Sequence, residues 1–194
     1  YALYLAEASG KGEAVFLMAR QNRREEERET LGCYTLPVPV RVQVEREDTF
    51  GQLCQRVQNA ARLASAKKGF GLERIQKLLR EEGLSFGNVS EYSFNFYPRG
   101  LSGKAGHSLD FSVSGGITGH FRWNVFQGED GPFFVFDLRD GIYDRERAEY
   151  FANSVEEILR QGFGGKRAGE IEIIGEAEKR SLLAVRGKEI PIDG

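Results

Sequence analysis

Two histidines, His107 and His120, are the side chains best suited to moving a proton near neutral pH. His107 sits in a glycine-rich turn, and His120 opens a candidate strand. Neither has an Asp or a second His at a spacing that would place a partner beside its ring. Both read as surface or hydrogen-bonded histidines, and no catalytic residue is assigned. A metal site needs several His, Cys or carboxylate ligands converging, and no such cluster is visible, so no metal is expected. Gly162-Phe163-Gly164-Gly165-Lys166 has the look of a phosphate-binding loop. It fails because Arg160 occupies the leading glycine position, no Ser or Thr follows Lys166, and a helix precedes it. Gly115-Gly116-Ile117-Thr118-Gly119 reads as a turn between strands. The cysteines, Cys33 and Cys54, are too few for a disulfide framework and lie among apolar neighbours, so both are expected to be buried, reduced thiols.

The run from Arg20 to Glu29 is charged or polar throughout and reads as a solvated loop or a helical turn at the surface. Tyr92, Phe94, Phe96 and Trp123 could stack nucleobases, but no Lys or Arg is interleaved to hold a backbone, so they read as core. The 194 residues are 40% hydrophobic and 29% charged with a net charge of −2, an ordinary globular balance with no basic field for nucleic acid. No apolar run reaches membrane-spanning length, so no membrane partner is expected and the setting reads as cytoplasmic.

These residues must be positioned by a mixture of helices and strands. Tyr1 to Ala8 reads as helix interior without a cap, as if continuing from something longer, and it stops at Ser9-Gly10. Ala14 to Met18 has strand length. Leu36, Val38, Val40, Val42 and Val44 alternate with polar residues or prolines, and Pro37 and Pro39 place the start of that strand at a sheet edge. Thr49 to Gln52 is a capping box opening a helix whose face is Phe50, Leu53, Cys54, Val57, Ala60, Ala61 and Ala64. Leu72, Ile75, Leu78 and Leu79 mark a second helix. Strands with faces Tyr92-Phe94-Phe96, Leu109-Phe111-Val113 and Phe121-Trp123-Val125 follow, antiparallel in appearance. Phe133 to Leu138 reads as an apolar central strand, in a hairpin with its predecessor. Asp144 caps a long helix ending at Gly162. Ile171 to Ile174 is a candidate short strand, and Glu176 to Leu183 reads as helical. The expected class is α/β in the α+β sense: a mixed β-sheet with helices packed on it.

The order of these segments resembles the condensation domain of nonribosomal peptide synthetases. Residues 2–23 are similar to its helix, strand and small-residue–Arg turn. Leu31-Gly32-Cys33-Tyr34-Thr35-Leu36-Pro37 through Arg41 resembles the family's Ile-Gly-x-Phe-Val-Asn-Thr-Leu-Pro-x-Arg. Thr49 to Leu53 resembles the next helix start, and Gly71-Leu72-Glu73-Arg74-Ile75 stands where the family has Pro-Phe-Glu-Arg-Leu. Ser93-Phe94-Asn95-Phe96-Tyr97 resembles its Phe-Asn-Tyr strand, and Phe121 to Leu159 its last strands and final helix. Glu178 to Leu183 is similar to the Glu-x-x-x-Leu-Leu segment that enters the linker to an adenylation domain. Departures mark a divergent member. Tyr34 replaces an Asn, a Val-Pro pair precedes Arg41, Lys67-Lys68-Gly69-Phe70 replaces His-Gln-Asp-Val, and Leu84 to Glu91 does not show the family's Arg-Asp-x-Ser-Arg-Asn-Pro-Leu.

The resemblance implies a lobe similar to half of chloramphenicol acetyltransferase. Residues 1–165 would be the C-terminal lobe of a condensation domain, and residues 166–194 would lead toward an adenylation domain. The family's His-His-x-x-x-Asp-Gly motif belongs to the other lobe, so this lobe would form one wall of the tunnel where carrier-protein-bound thioesters are joined, and would be inactive alone. No cofactor would bind directly; the phosphopantetheine arms of peptidyl carrier proteins would bring the substrates. A floor loop over about residues 20–35, with Asn22, Arg23 and Thr35, would face the N-terminal lobe. Arg23 would pair with the motif Asp or stand as an exposed arginine. Asn95 would face the tunnel, and a latch would lie within residues 98–114. The alternatives are a lobe of a free-standing coenzyme A-dependent acyltransferase and a non-catalytic module that docks carrier proteins.

Overall fold

The first helix, α1 (Ala2–Ser9), ends where Gly10 takes a left-handed backbone at φ 66° and its N–H bonds the Glu7 carbonyl. The structure, a computed structural model, describes residues 1–67, 71–84, 91–97, 119–128 and 131–186. His107, the Leu109 to Val113 strand, the glycine turn at 115–118, the latch segment and Lys68 to Phe70 lie outside those residues. After Gly10 come β1 (Glu13–Gln21) and β2 (Thr35–Gln43), joined by a loop with a short 3₁₀ turn at Glu25–Glu27. They are followed by α2 (Phe50–Ala66), α3 (Leu72–Glu81), β3 (Tyr92–Tyr97), β4 (Phe121–Gln127), β5 (Pro132–Leu138), α4 (Arg145–Phe163) and α5 (Glu176–Arg186). The caps are where the sequence puts them. The Thr49 side chain accepts from the Gln52 N–H while the Gln52 side chain accepts from the Thr49 N–H. The Asp144 side chain accepts from the Arg147 N–H.

The strands form one five-stranded sheet in the order β2-β1-β3-β4-β5. β2 is an edge, as its prolines require, and pairs antiparallel with β1 from Glu13↔Gln43 to Gln21↔Thr35. β1–β3 and β3–β4 are parallel, and the β4–β5 hairpin is antiparallel. The mixed α+β sheet is as expected, but two details are corrected. The middle strands are parallel neighbours, because long crossovers separate them in the chain. Among the described residues β5 is an edge strand rather than a central one, and its apolar run is broken by Asp137.

Helices α1, α2 and α4 cover one face of the sheet. Val38, Val40 and Val42 of β2, with Phe16 and Met18 of β1, pack against Leu3 and Ala6 of α1 and Leu53 and Ala61 of α2. Phe121, Trp123 and Val125 of β4 pack against Phe151 and Val155 of α4. Tyr1 ties the two halves, its ring edge-on to Phe16 at 5.3 Å and to Trp123 at 5.5 Å. Val40 is fully buried, and excluding such a side chain from water contributes about 1.5–3 kcal/mol.

The segment after Gly165 packs onto this core. Ala168 and Ile171 are buried in it, and the Gln161 side chain holds the Glu172 backbone at both its N–H and its carbonyl. Ile171 to Ile174 is no strand. A 3₁₀ turn at Ala168–Glu170 precedes it, and among the described residues the nearby ladder contact is the single bridge Thr49↔Arg167. The cysteines are also corrected: Cys33 and Cys54 are both exposed. Cys54 follows the buried Leu53 on α2 and borders a cavity between sheet and helices, so space rather than packed core lies beside it. Cys33 lies in the loop before β2.

Candidate functional site

The face of the sheet turned away from α1, α2 and α4 carries the polar chemistry. Alternation along β3 places Ser93, Asn95 and Tyr97 there. Register then sets Arg122, Asn124 and Phe126 of β4 beside them, and Asp137, Val135 and Phe133 of β5 beyond. Asn124 is the buried member of this group, only 6% exposed, and it is fully engaged. Its Oδ1 accepts from Asn95 Nδ2 at 2.9 Å, and its Nδ2 donates to Asp137 Oδ2 at 2.9 Å and to the Val135 carbonyl at 3.4 Å. Arg122 Nη1 lies 3.9 Å from Asp137 Oδ2. One residue pair further along, Tyr97, Phe126 and Phe133 stack across the strands, with ring centres 4.5 and 5.0 Å apart.

This face opens onto a cavity of about 470 Å³ whose lining includes Thr35, Pro37, Leu72, Asn95, Tyr97 and Arg122. Thr35 and Asn95, both singled out in the sequence, meet here. Asn22 and Arg23 do not line it; they lie in the loop that leads into Thr35. There the Asn22 N–H donates to the Tyr34 carbonyl at 3.0 Å. The Arg23 guanidinium lies over the Tyr34 ring at 4.2 Å and donates to the carbonyls of Glu27, Thr30 and, at 3.0 Å, Gly32. A single cation thus gathers the loop's carbonyls, and the charged run folds around it. Nε of Arg23 makes no hydrogen bond to any described residue.

Two other cavities are less suited to polar chemistry. One of about 310 Å³ lies between sheet and helices and is lined by Phe16, Phe50, Leu53, Val57 and Trp123. Cys54 sits at its side, and desolvation there pushes its thiol up, away from the reactive thiolate. The other, of about 290 Å³, includes Tyr4, Tyr92, Tyr143 and Tyr150. Burial and the neighbouring Tyr92 push the Tyr143 hydroxyl well above the ordinary range, so it offers no base. His120 gains a partner invisible in the sequence: its Nδ1 is 3.3 Å from Glu91 Oε2. The pair is not part of the 470 Å³ cavity lining. Among the described residues no cluster of His, Cys, Asp or Glu could hold a metal ion, and no helix is long and apolar enough to cross a membrane.

Asn124, Arg122 and Asp137 escaped the sequence reading. The signal was present: along Phe121 to Val125 only the apolar alternation was followed, and the opposite phase is Arg122 and Asn124. Their link to Asp137 is a cross-strand contact that only the hairpin register reveals.

A sequence profile described as the Condensation domain matches residues 1–183. The chain belongs to the condensation-domain family. No curated protein sequence matches it. Among solved structures, it is similar to the X-domain in a complex with OxyB from teicoplanin biosynthesis. That match has a TM-score of 0.70 and 18% identity, over 90% of this chain and 41% of that one. It is also similar to the starter condensation domain of the rhizomide synthetase RzmA, with a TM-score of 0.69 and 15% identity, over 90% of this chain and 43% of that one. A four-domain nonribosomal peptide synthetase, holo-AB3403 bound to AMP and glycine, matches with a TM-score of 0.72 and 14% identity, over 91% of this chain and 15% of it. At these identities the likeness is one of fold. This condensation-family chain spans less than half the length of each of these structures.

Proposed function

We propose that this chain is the C-terminal lobe of a nonribosomal peptide synthetase condensation domain, and that the open polar face of its sheet forms one wall of the tunnel where thioesters on carrier proteins are joined by an amide bond. The observation that carries the reading is the 470 Å³ cavity on that face, where Thr35 from the end of the floor loop and Asn95 from β3 converge. The wall supplies hydrogen-bonding groups and shape; the imidazole that takes the proton from the attacking amine would come from the N-terminal lobe. In this reading Arg23 presents its unengaged Nε edge to a carboxylate of that lobe, a geometry suited to a bidentate pair. The phosphopantetheine arms of two carrier proteins deliver donor and acceptor, and the stretch from residue 166 leads toward an adenylation domain.

The test is peptide-bond formation between two aminoacyl carrier proteins, assayed with this chain alone and with the same chain joined to an N-terminal lobe carrying His-His-x-x-x-Asp-Gly. Product from the joined protein only, reduced at least tenfold by Asn95→Ala, supports the proposal. Product from the lobe alone would overturn it. Acyl transfer from coenzyme A thioesters without carrier proteins would favour a free-standing acyltransferase. Carrier-protein binding without turnover would favour a docking module.

A further inference from the structure

Which end of the Asn95 carboxamide meets the cavity is decided two strands away. An ionised carboxylate only accepts hydrogen bonds, so Asp137 can meet Asn124 only at its Nδ2, as it does at 2.9 Å. The other Nδ2 hydrogen of Asn124 goes to the Val135 carbonyl, which also only accepts. Asn124 must therefore turn Oδ1 toward β3, where it takes a hydrogen from Asn95 Nδ2 at 2.9 Å. Asn95 is left with Oδ1 unengaged, beside the second hydrogen of its Nδ2. That oxygen accepts no hydrogen bond from any described residue, and Asn95 lines the cavity. Reversing Asn124 would set its carbonyl oxygen against a carboxylate and a backbone carbonyl. Because Asn124 is buried, water cannot relieve that repulsion.

We propose that Asp137 and Asn124 are positioning residues that hold Asn95 Oδ1 toward the cavity as a fixed acceptor for the N–H of a ligand. The inference rests on reading this face as a substrate wall, and it adds the chemical class that the wall selects. A ligand bringing an amide N–H or a protonated amine is matched; one presenting a carboxylate or a ketone oxygen at that point is repelled. The N–H could belong to a pantetheine amide or to the amine of an aminoacyl thioester.

The experiment uses the whole ¹⁵N-labelled chain and follows the side-chain amide signals of Asn95, assigned by their loss in Asn95→Asp. The native chain gives one set of signals. In Asp137→Asn the residue at 137 can donate or accept, so the stronger of the two acceptors that hold Asn124 in place is lifted and only the longer contact to the Val135 carbonyl still opposes reversal; the Asn95 signals double or broaden. Asp137→Glu, which keeps an acceptor only, restores the single set. The probes are pantetheine, which has amides but no amine, and the glycyl thioester of N-acetylcysteamine, which has both. A probe that supplies the N–H shifts the Asn95 signals, and its apparent Kd rises in Asp137→Asn, by up to about twofold if half of the carboxamides face the wrong way. A response to both probes points to the amide, and a response to the glycyl compound alone points to the amine. An unchanged single set in Asp137→Asn overturns the proposal, as does equal affinity in both proteins or silence from both probes. If the joined two-lobe protein forms no peptide bond while Asp137→Asn still changes the Asn95 signals and weakens probe binding, the condensation reading falls and the positioning relay stands.

Discussion

The guanidinium of Arg23 lies 4.2 Å from the centre of the Tyr34 ring while its nitrogens hold carbonyls across the intervening loop. Arg23→Lys is expected to open this loop, because an ammonium cannot reach several carbonyls and stack at once. Backbone hydrogen exchange over residues 24–34 should rise about tenfold, equivalent to roughly 1.4 kcal/mol of local stability, with the midpoint of global unfolding nearly unchanged. Unaltered exchange would show that the loop holds its shape without the arginine.

Gly162 approaches the Phe50 ring so closely that a Cβ there would lie 2.5 Å from two ring carbons. Gly162→Ala is expected to destabilise the chain by roughly 1–3 kcal/mol in urea unfolding, the usual cost of overpacking. In a Phe50→Leu background most of that added cost should vanish, since the ring that meets the methyl group is gone. Equal costs in both backgrounds would place the strain elsewhere.

The Glu172 carboxylate, bonded to Lys179, is held below its ordinary value near 4.5 by that hydrogen bond and by the ammonium charge. A depressed folded-state pKa contributes stability above the unfolded value, and that contribution is lost as pH falls through the folded value. The docking of α5 should therefore hold from neutral pH down to about 4.5 and loosen as pH falls below it. Exchange of the α5 amides from pH 7 to 3 reads this directly, and Glu172→Gln should flatten the dependence. Lys179 is raised by the same bond, so its share persists until strongly alkaline pH.

Both thiols are exposed, so the folded chain is expected to react with a disulfide reagent at Cys33 and Cys54 without denaturant. Desolvation raises the Cys54 thiol above its ordinary 9.0, so its rate should keep climbing beyond that pH. Protection of either cysteine until unfolding would return it to the core.

Local rules carried far into this fold. Alternation from Leu36 to Val44 marked a strand, its prolines put that strand at an edge, and Thr49 and Asp144 marked helix starts by side chains that satisfy their own backbone. What stayed hidden is non-local. Strand order and parallel pairing depend on which partners meet after long crossovers, so Phe133 to Leu138 looked central when it is an edge among the described strands. Cys54 shows the limit on a helix: apolar neighbours in sequence lie on several faces, and the periodicity could not say how wide the buried stripe is. At the site, Asn95 was found by family pattern. Asn124 and Asp137 acquire meaning only once register places three polar side chains in contact.

The insertion of β3 between β1 and β4 ties the completion of the first strands to segments made much later in the chain. A ribosome that has delivered β1, β2 and the following helices has made a two-stranded ribbon whose inner edge is still unpaired, with Phe16 and Met18 awaiting neighbours. Only when β3, β4 and α4 emerge can that edge close and the aromatic cluster around Tyr1 fill. The nascent polypeptide therefore carries a sticky, half-built sheet from the completion of β2 at Gln43 until β3 arrives at Tyr92, a period in which chaperone binding would decide between completion and aggregation.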